Sequence, residues 1–439
     1  MRPVLARASV AVIAIGSLAA CGGGPGTAKT AGGGDKKPSA HASVPAPLRR
    51  LAVPARYDTS RGWQLSGKQL GSYVVLPKSG ALATMTSERS SGGYAYRLTV
   101  RDAVTGRVRW TGKPFKGLSE GEAPHVFVAT AAGKEYLVTW SQGKKGEDAL
   151  SKAKYAYAVD IYAADGSGEA VAPAHHVELP ATAFEKAVTD GGEGLLVPVA
   201  DQRRVAVDPA TGRTTTYDTA SIEPPACPAC DDHLGNDIAA VTERGPVVAN
   251  KGAGAFGIPG SWDGDRIAPA GVLSETGQVW PGTGGHLIAR WTQKDFDHDV
   301  WAVLDSRTGQ VQASVRCAKP PAPTADAPGS ALSPNGRYLV SGHLAFDLRS
   351  KKGYCFEETD DSKPLSFDAA TDDGTAYGTS LTKDSLTGTT APVQLSLATG
   401  TPKALPGGSE VPVADFDGVG VFAHDEGDAP YLVVYRHKG

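Results

Sequence analysis

Asp102-Ala-Val-Thr-Gly106-Arg-Val-Arg-Trp110 packs the end of one strand, a tight turn and the start of a second strand into a few residues. Val, Thr, Arg and Trp flank the turn in the alternation of a half-buried strand. Asp can hydrogen-bond backbone two or three residues on, and Gly takes the positive φ such a turn needs. The frame returns at Asp208-Pro-Ala-Thr-Gly212 and Asp305-Ser-Arg-Thr-Gly309, and in weaker form at Ser396-Leu-Ala-Thr-Gly400. Degenerate copies stand at Asp165-Gly-Ser-Gly168 and Asp347-Leu-Arg-Ser350. A frame that recurs about every 40–60 residues, with one double gap between Gly212 and Gly309, is a repeat, and a repeat constrains the fold before any single element does.

Between the landmarks lie short runs of period-two patterning. Examples are Gly71-Ser-Tyr-Val-Val-Leu76, Glu135-Tyr-Leu-Val-Thr-Trp140, Val300-Trp-Ala-Val-Leu304 and Tyr431-Leu-Val-Val-Tyr435. Turn pairs at Asn335-Gly336, Asp373-Gly374 and Asp417-Gly418 separate them. The spacing fits a unit of four antiparallel strands. One such unit cannot cover both its faces, so units must stack on one another. The expectation is an all-β β-propeller over residues 57–439, with eight blades preferred and seven the alternative. The final strand, Tyr431 to Tyr435, lacks a partner unless a strand near Gly62-Trp-Gln-Leu65 completes its blade. That closure would leave no free edge.

The Asp102-to-Trp110 pattern resembles the repeat of the pyrroloquinoline-quinone-like β-propeller superfamily, in which the Trp docks between neighbouring blades. Ser333-Pro-Asn-Gly-Arg-Tyr-Leu-Val340 is similar to a hairpin of WD40- and YVTN-like propeller repeats. The resemblance implies structural roles for Asp102, Gly106, Trp110, Asp208, Gly212, Asp305, Gly309 and Gly400. Three of the four turns depart from it, with Thr216, Ala313 and Ala404 at the Trp position. Trp110, which alone fills the aromatic slot of the Asp102 repeat, is expected to be largely buried between blades.

The N-terminus carries a second signature. Arg2 and Arg7 precede a short apolar stretch that ends in Leu18-Ala19-Ala20-Cys21. This resembles a bacterial lipoprotein signal peptide with its lipobox. The resemblance implies cleavage of residues 1–20 and a diacylglycerol anchor on Cys21. The uncharged run Ala8–Ala20 falls short of the roughly 20 apolar residues a spanning helix needs. Two acyl chains hold a protein firmly to a bilayer, so the cell membrane, on its extracytoplasmic face, is the expected location. Residues 21–56 read as the lipidated Cys and a flexible linker, whose Gly- and Pro-rich part, residues 22–50, reaches roughly 30 Å for about 29 residues.

Removing Arg2 and Arg7 moves the formal charge from −3 to −5. No dense Lys/Arg cluster lies outside the linker, which argues against nucleic acid as a partner. Cys227, Cys230, Cys317 and Cys355 make an even set in an exported chain, so two disulfides are expected. Neighbour pairing is the simplest of the three connectivities. Cys227-Pro-Ala-Cys230 lacks the context of a redox helix and has no second Cys pair to complete a zinc set. Asp295, Asp297 and Asp299 have the spacing of a calcium loop, but Val300 replaces the turn Gly and Ser306 the bidentate Glu. They read as an acidic turn and as weak metal candidates at most.

No nucleophile elbow, zinc-helix motif or phosphate loop is present. The expected function is a monomeric, membrane-tethered binding or scaffold module for a protein, glycan or envelope component, without catalysis and with no cofactor beyond the lipid. The alternative is an extracellular enzyme, either a quinone-dependent dehydrogenase or a metal-assisted hydrolase. The lining of the central channel separates the two. Converging carboxylates and His would mark an enzyme, and aromatic and neutral polar rims a binding module.

Overall fold

The computed structural model describes residues 47–67, 70–90, 93–119, 122–183, 186–222, 235–250, 254–318, 329–359, 361–380, 390–424 and 430–439. Cys21, Cys227 and Cys230 lie outside the described residues. Among the described residues the strands form seven sheets, five of them four-stranded and antiparallel. An eight-stranded one divides into two four-stranded antiparallel groups joined by a parallel pairing of Val311–Ala318 with Lys352–Cys355. A five-stranded one is such a group with Gly168–Val171 added in parallel at its edge, which makes eight groups. Group 1 comprises Ser72–Leu76, Ala81–Ser90, Gly93–Asp102 and Val108–Gly112. Groups 2 to 7 follow in chain order over residues 125–180, 189–218, 236–263, 278–318, 330–355 and 365–404. Group 8 takes three strands from residues 414–437 and its fourth from Tyr57–Ser66, which pairs antiparallel with Tyr431–His437. The first and last strands of the body thus share one sheet, and the ring has no gap at that point.

Period-two patterning explains how the groups stack. Successive side chains on a strand point to opposite faces, and here both faces are buried. On Lys134–Lys145, Leu137 enters the cluster shared with group 1 and Val138 the cluster shared with group 3. On His286–Thr292, Leu287 faces group 4 and Ile288 faces group 6. On Tyr431–His437, Val433 faces group 7 and Val434 faces group 1. Leu196 and Val248 join groups 3 and 4, and Val340 and Leu395 join groups 6 and 7. Every junction has its own apolar cluster, including the one from group 8 back to group 1. A closed ring of four-stranded antiparallel groups is a β-propeller.

The recurring turn does the same job four times. Gly106, Gly212, Gly309 and Gly400 have φ of +70°, +69°, +70° and +71°. Each amide donates to the carbonyl of the residue four before it, Asp102, Asp208, Asp305 or Ser396. The carboxylates of Asp102, Asp208 and Asp305 accept from the Thr hydroxyl of the turn. Asp102 also pairs with Arg109 at 2.7 Å.

An aromatic ring of the preceding group covers each of these glycines. A Cβ built on Gly106 would lie 2.7 Å from the Trp63 ring, one on Gly212 2.9 Å from His175, and one on Gly309 2.6 Å from Trp262; Gly400 is covered by Tyr354. Trp63 Nε1 donates to Ala103 O at 2.7 Å and His175 Nε2 meets Ala210 O at 2.9 Å. Trp110 is fully buried and docks on group 2, with Nε1 3.5 Å from Ala164 O and its ring stacked on Tyr162. Trp110 thus fills its slot between groups 1 and 2, as the repeat predicts. Trp63, His175, Trp262 and Tyr354 fill others, and they stand on the last strand of the group before each turn.

The body also begins earlier than composition suggests. Leu48, Leu51 and Val53 pack against the cluster of Tyr57, Tyr431 and Tyr435. Leu51 N donates to Tyr435 Oη at 3.0 Å, and that hydroxyl donates to Arg49 O. Residues 48–56 thus belong to the body, although their Pro, Ala and Arg content reads as linker.

Candidate functional site

The opening strand of each group lies at one edge of its sheet, and these edge strands neighbour one another around the ring. They surround a cavity of about 470 Å³ whose lining comes from seven of the eight groups. Only the ring axis brings those groups together. Val75, Val128, Leu332 and Val413 give the cavity apolar walls, and Lys78, Glu135, Asp190, His286, Asp368 and Asp415 are its titratable side chains.

Two of these four carboxylates, Glu135 and Asp415, are firmly engaged. Glu135 accepts from the amides of Lys78 and Ser79 at 3.1 and 2.8 Å. It thereby ties the first hairpin of group 1 to group 2. The device recurs near the same end of the ring. Glu193 of group 3 accepts from Ala132 N of group 2 at 2.8 Å, and Asp372 of group 7 accepts from Asn335 N of group 6 at 2.9 Å. Between groups 7 and 8 an ion pair takes its place, with Arg56 3.0 Å from Asp373. Asp415 is buried and accepts from Tyr57 Oη and His437 Nε2, both at 2.7 Å. Burial pushes the Tyr57 hydroxyl far above its ordinary range, and the neighbouring Asp415 adds to this.

Three groups are left facing the cavity with less engagement. Burial pushes the Asp190 carboxyl up to about 7, against the amide of Gly192 at 3.0 Å. Burial lowers the His286 imidazole, whose Nδ1 makes no hydrogen bond among the described residues. Asp368 sits at a bulge between Phe367 and Ala369, and burial raises it. The lining therefore mixes carboxylates and one His with apolar walls, and the aromatic rim of the sequence criterion is not among its described residues.

A larger cavity of about 650 Å³ lies between groups 3, 4 and 5. It opens where Asp237 and Asn250 sit, at the strand ends remote from the hairpin that joins them. Arg204 and Asp237 form an ion pair at 2.9 Å there. Arg290 packs over Trp280 and Trp301, which stack on each other. The repeat drew attention to none of these residues.

Asp295 and Asp297 occupy the turn between His286–Thr292 and His298–Asp305, with Phe296 at φ +64°, and Asp299 stands on the second of these strands opposite Thr292. Asp295 pairs with Arg316 at 2.8 Å and His298 at 3.1 Å. Asp299 points into the body, accepts from Thr292 Oγ1 at 3.0 Å and lies 3.7 Å from Arg290. Their carboxylates do not share a centre. Cys317 and Cys355 are bonded across groups 5 and 6, with Cα atoms 5.8 Å apart.

The architecture is that of a β-propeller. No family model matches the sequence, and no curated protein matches it. Solved structures do. The Dos1 propeller is 13% identical over 86% of this chain and 95% of that one, with a TM-score of 0.41. The WD40 repeats of RRP9 are 12% identical over 88% and 99%, with a TM-score of 0.35. Dipeptidyl peptidase 4 of Porphyromonas gingivalis is 10% identical over 83% of this chain and 57% of that one, with a TM-score of 0.41. At such identities the likeness concerns fold alone.

Proposed function

We propose that the chain is a lipoprotein whose eight-bladed propeller, of pyrroloquinoline-quinone-like lineage, is tethered through Cys21 to an extracytoplasmic membrane face and binds a protein, glycan or envelope component without catalysis. The observation that carries the non-catalytic reading is the engagement of Glu135 and Asp415, two of the four axial carboxylates. Glu135 holds two backbone amides and Asp415 the Tyr57 hydroxyl and the His437 ring, and a general acid or base needs a carboxyl free to exchange its proton with substrate. Apolar walls around a few oriented polar groups suit recognition of a small protruding group. Lys78 and Asp368 would orient it.

The test is cross-linking capture from the protein's own envelope with the parent and with Lys78→Glu and Asp368→Lys. A partner held by the parent and lost from both folded variants supports the reading. Capture that is indifferent to both variants contradicts an axial binding site. A second reading, an enzyme built on Asp190, His286 and Asp368, rests on their shared cavity. It predicts substrate turnover that Asp368→Asn abolishes.

A further inference from the structure

We infer that Cys317, His343, Cys355 and Glu357 form a tetrahedral zinc site when the Cys317–Cys355 bond is reduced. One ligand atom from each of the four lies within 4.8 Å of all the others, the one such group among the described residues. Cys317 comes from the last strand of group 5. His343, Cys355 and Glu357 come from group 6 and the residues just after it. The site therefore bridges one junction of the ring.

A disulfide does not explain the rest of the cluster. His343 Nε2 and Glu357 Oε2 are shut off from solvent and make no hydrogen bond among the described residues. The imidazole approaches Glu357 Oε1 at 3.3 Å without hydrogen-bond geometry. Trp301 packs edge-on against the His343 ring. Polar atoms buried without partners cost stability, and native structures avoid them unless something else satisfies them. A divalent ion satisfies both at once. Zinc takes thiolate at about 2.3 Å and imidazole or carboxylate at about 2.0–2.2 Å. Those lengths place tetrahedral ligands within roughly 4 Å of one another: the two sulfurs, bonded in the oxidised chain, part to about that distance on reduction, and the widest of the other spacings closes slightly. Two thiolates with one imidazole select zinc over magnesium or calcium, which prefer all-oxygen shells.

The chemistry balances with a dithiol reductant. The dithiol gives two electrons and two protons to the Cys317–Cys355 bond and becomes a disulfide itself, leaving two thiols. Zinc binding then displaces both thiol protons to solvent. The oxidised chain keeps a covalent link between groups 5 and 6, and the reduced chain replaces it with a metal link.

Cobalt reports such a site by its colour. The full chain is reduced anaerobically, freed of reductant and titrated with Co²⁺. The expected result is one equivalent bound, with sulfur-to-metal charge transfer in the near ultraviolet and tetrahedral bands in the visible, both bleached by Zn²⁺. The oxidised chain should give neither. Cys317→Ser and Cys355→Ser should abolish the charge-transfer band, and His343→Gln or Glu357→Gln should weaken binding at least tenfold, with circular dichroism recording the fold of each variant. The double variant Cys227→Ser/Cys230→Ser should keep the spectrum. A reduced chain that takes up no cobalt overturns the inference. A spectrum lost in the Cys227/Cys230 double variant and kept in Cys317→Ser overturns it too.

Discussion

Trp110 and Trp262 each seal a junction between neighbouring groups, and their energetics can be separated from those of the turns they cover. Truncating a fully buried Trp leaves a cavity and typically costs about 3–5 kcal/mol. Trp110→Ala should therefore destabilise by that order, whereas Lys113→Ala, exposed on the same segment, should stay within about 0.5 kcal/mol of the parent. Chemical denaturation of both variants checks this. The turn glycines allow a finer comparison. Gly309 and Gly336 have nearly the same φ, +70° and +72°, but only Gly309 has a ring where its Cβ would go. Gly336→Ala meets backbone strain alone, on the order of 1 kcal/mol. Gly309→Ala adds a clash with Trp262 and should cost clearly more in the same experiment. Equal costs would mean that the ring does not press on the turn.

Asp347 makes a pH prediction at the same scale. Two hydrogen bonds from Arg337, at 3.0 and 2.7 Å, hold its carboxyl well below the ordinary range against the opposing effect of burial. The unfolded carboxyl takes its proton near pH 4, before the folded one does. Stability from this pair is thus present above about pH 4 and is lost as pH falls towards the folded value. The deficit of Asp347→Asn relative to the parent should be full at pH 6 and shrink steadily below pH 4. Thermal melts of both proteins across that range measure it. The Asp of the turn frame was legible because it recurs at a fixed distance from Gly. The covering rings were not, because they stand in the preceding group and vary among Trp, His and Tyr.

At the scale of elements, strands and turns were readable because period-two patterning and Asn-Gly or Asp-Gly pairs act locally. The junction between Tyr57–Ser66 and Tyr431–His437 could be read too, since a terminal strand without a partner demands one. Residues 48–56 were not readable as part of the body. Three apolar residues spaced among Pro, Ala and Arg carry no period, and only the cluster around Tyr435 gives them a place. Removing that contact should have a local consequence. Leu51→Ala should loosen residues 48–56 while leaving the ring folded, seen as faster amide exchange there with a melting temperature within a few degrees of the parent. A large drop in melting temperature would show instead that this segment carries the closing junction.

For the whole molecule, the eight apolar clusters account for order around the ring without reference to any ligand. The axial cavity and the Cys317 cluster escaped sequence reading for one reason: their members lie far apart in the chain and meet only when the ring closes. The cysteine pair at Cys227 and Cys230 drew attention by proximity, whereas His343 and Glu357 had no such cue. The N-terminal signature acts at this scale as well. Cys21→Ser should release the protein from membranes after a high-salt wash without altering its melting temperature, and a variant that stays with the membrane would remove lipid anchoring from the account. The central claim is that one strand from the N-terminal end closes the ring. Calorimetric unfolding of a chain lacking residues 57–66, beside one lacking residues 25–45, tests it most directly. The account predicts that the first deletion destroys or sharply lowers the cooperative transition of the whole body and that the second leaves it unchanged. A 57–66 deletion that melts like the parent would contradict closure by this strand.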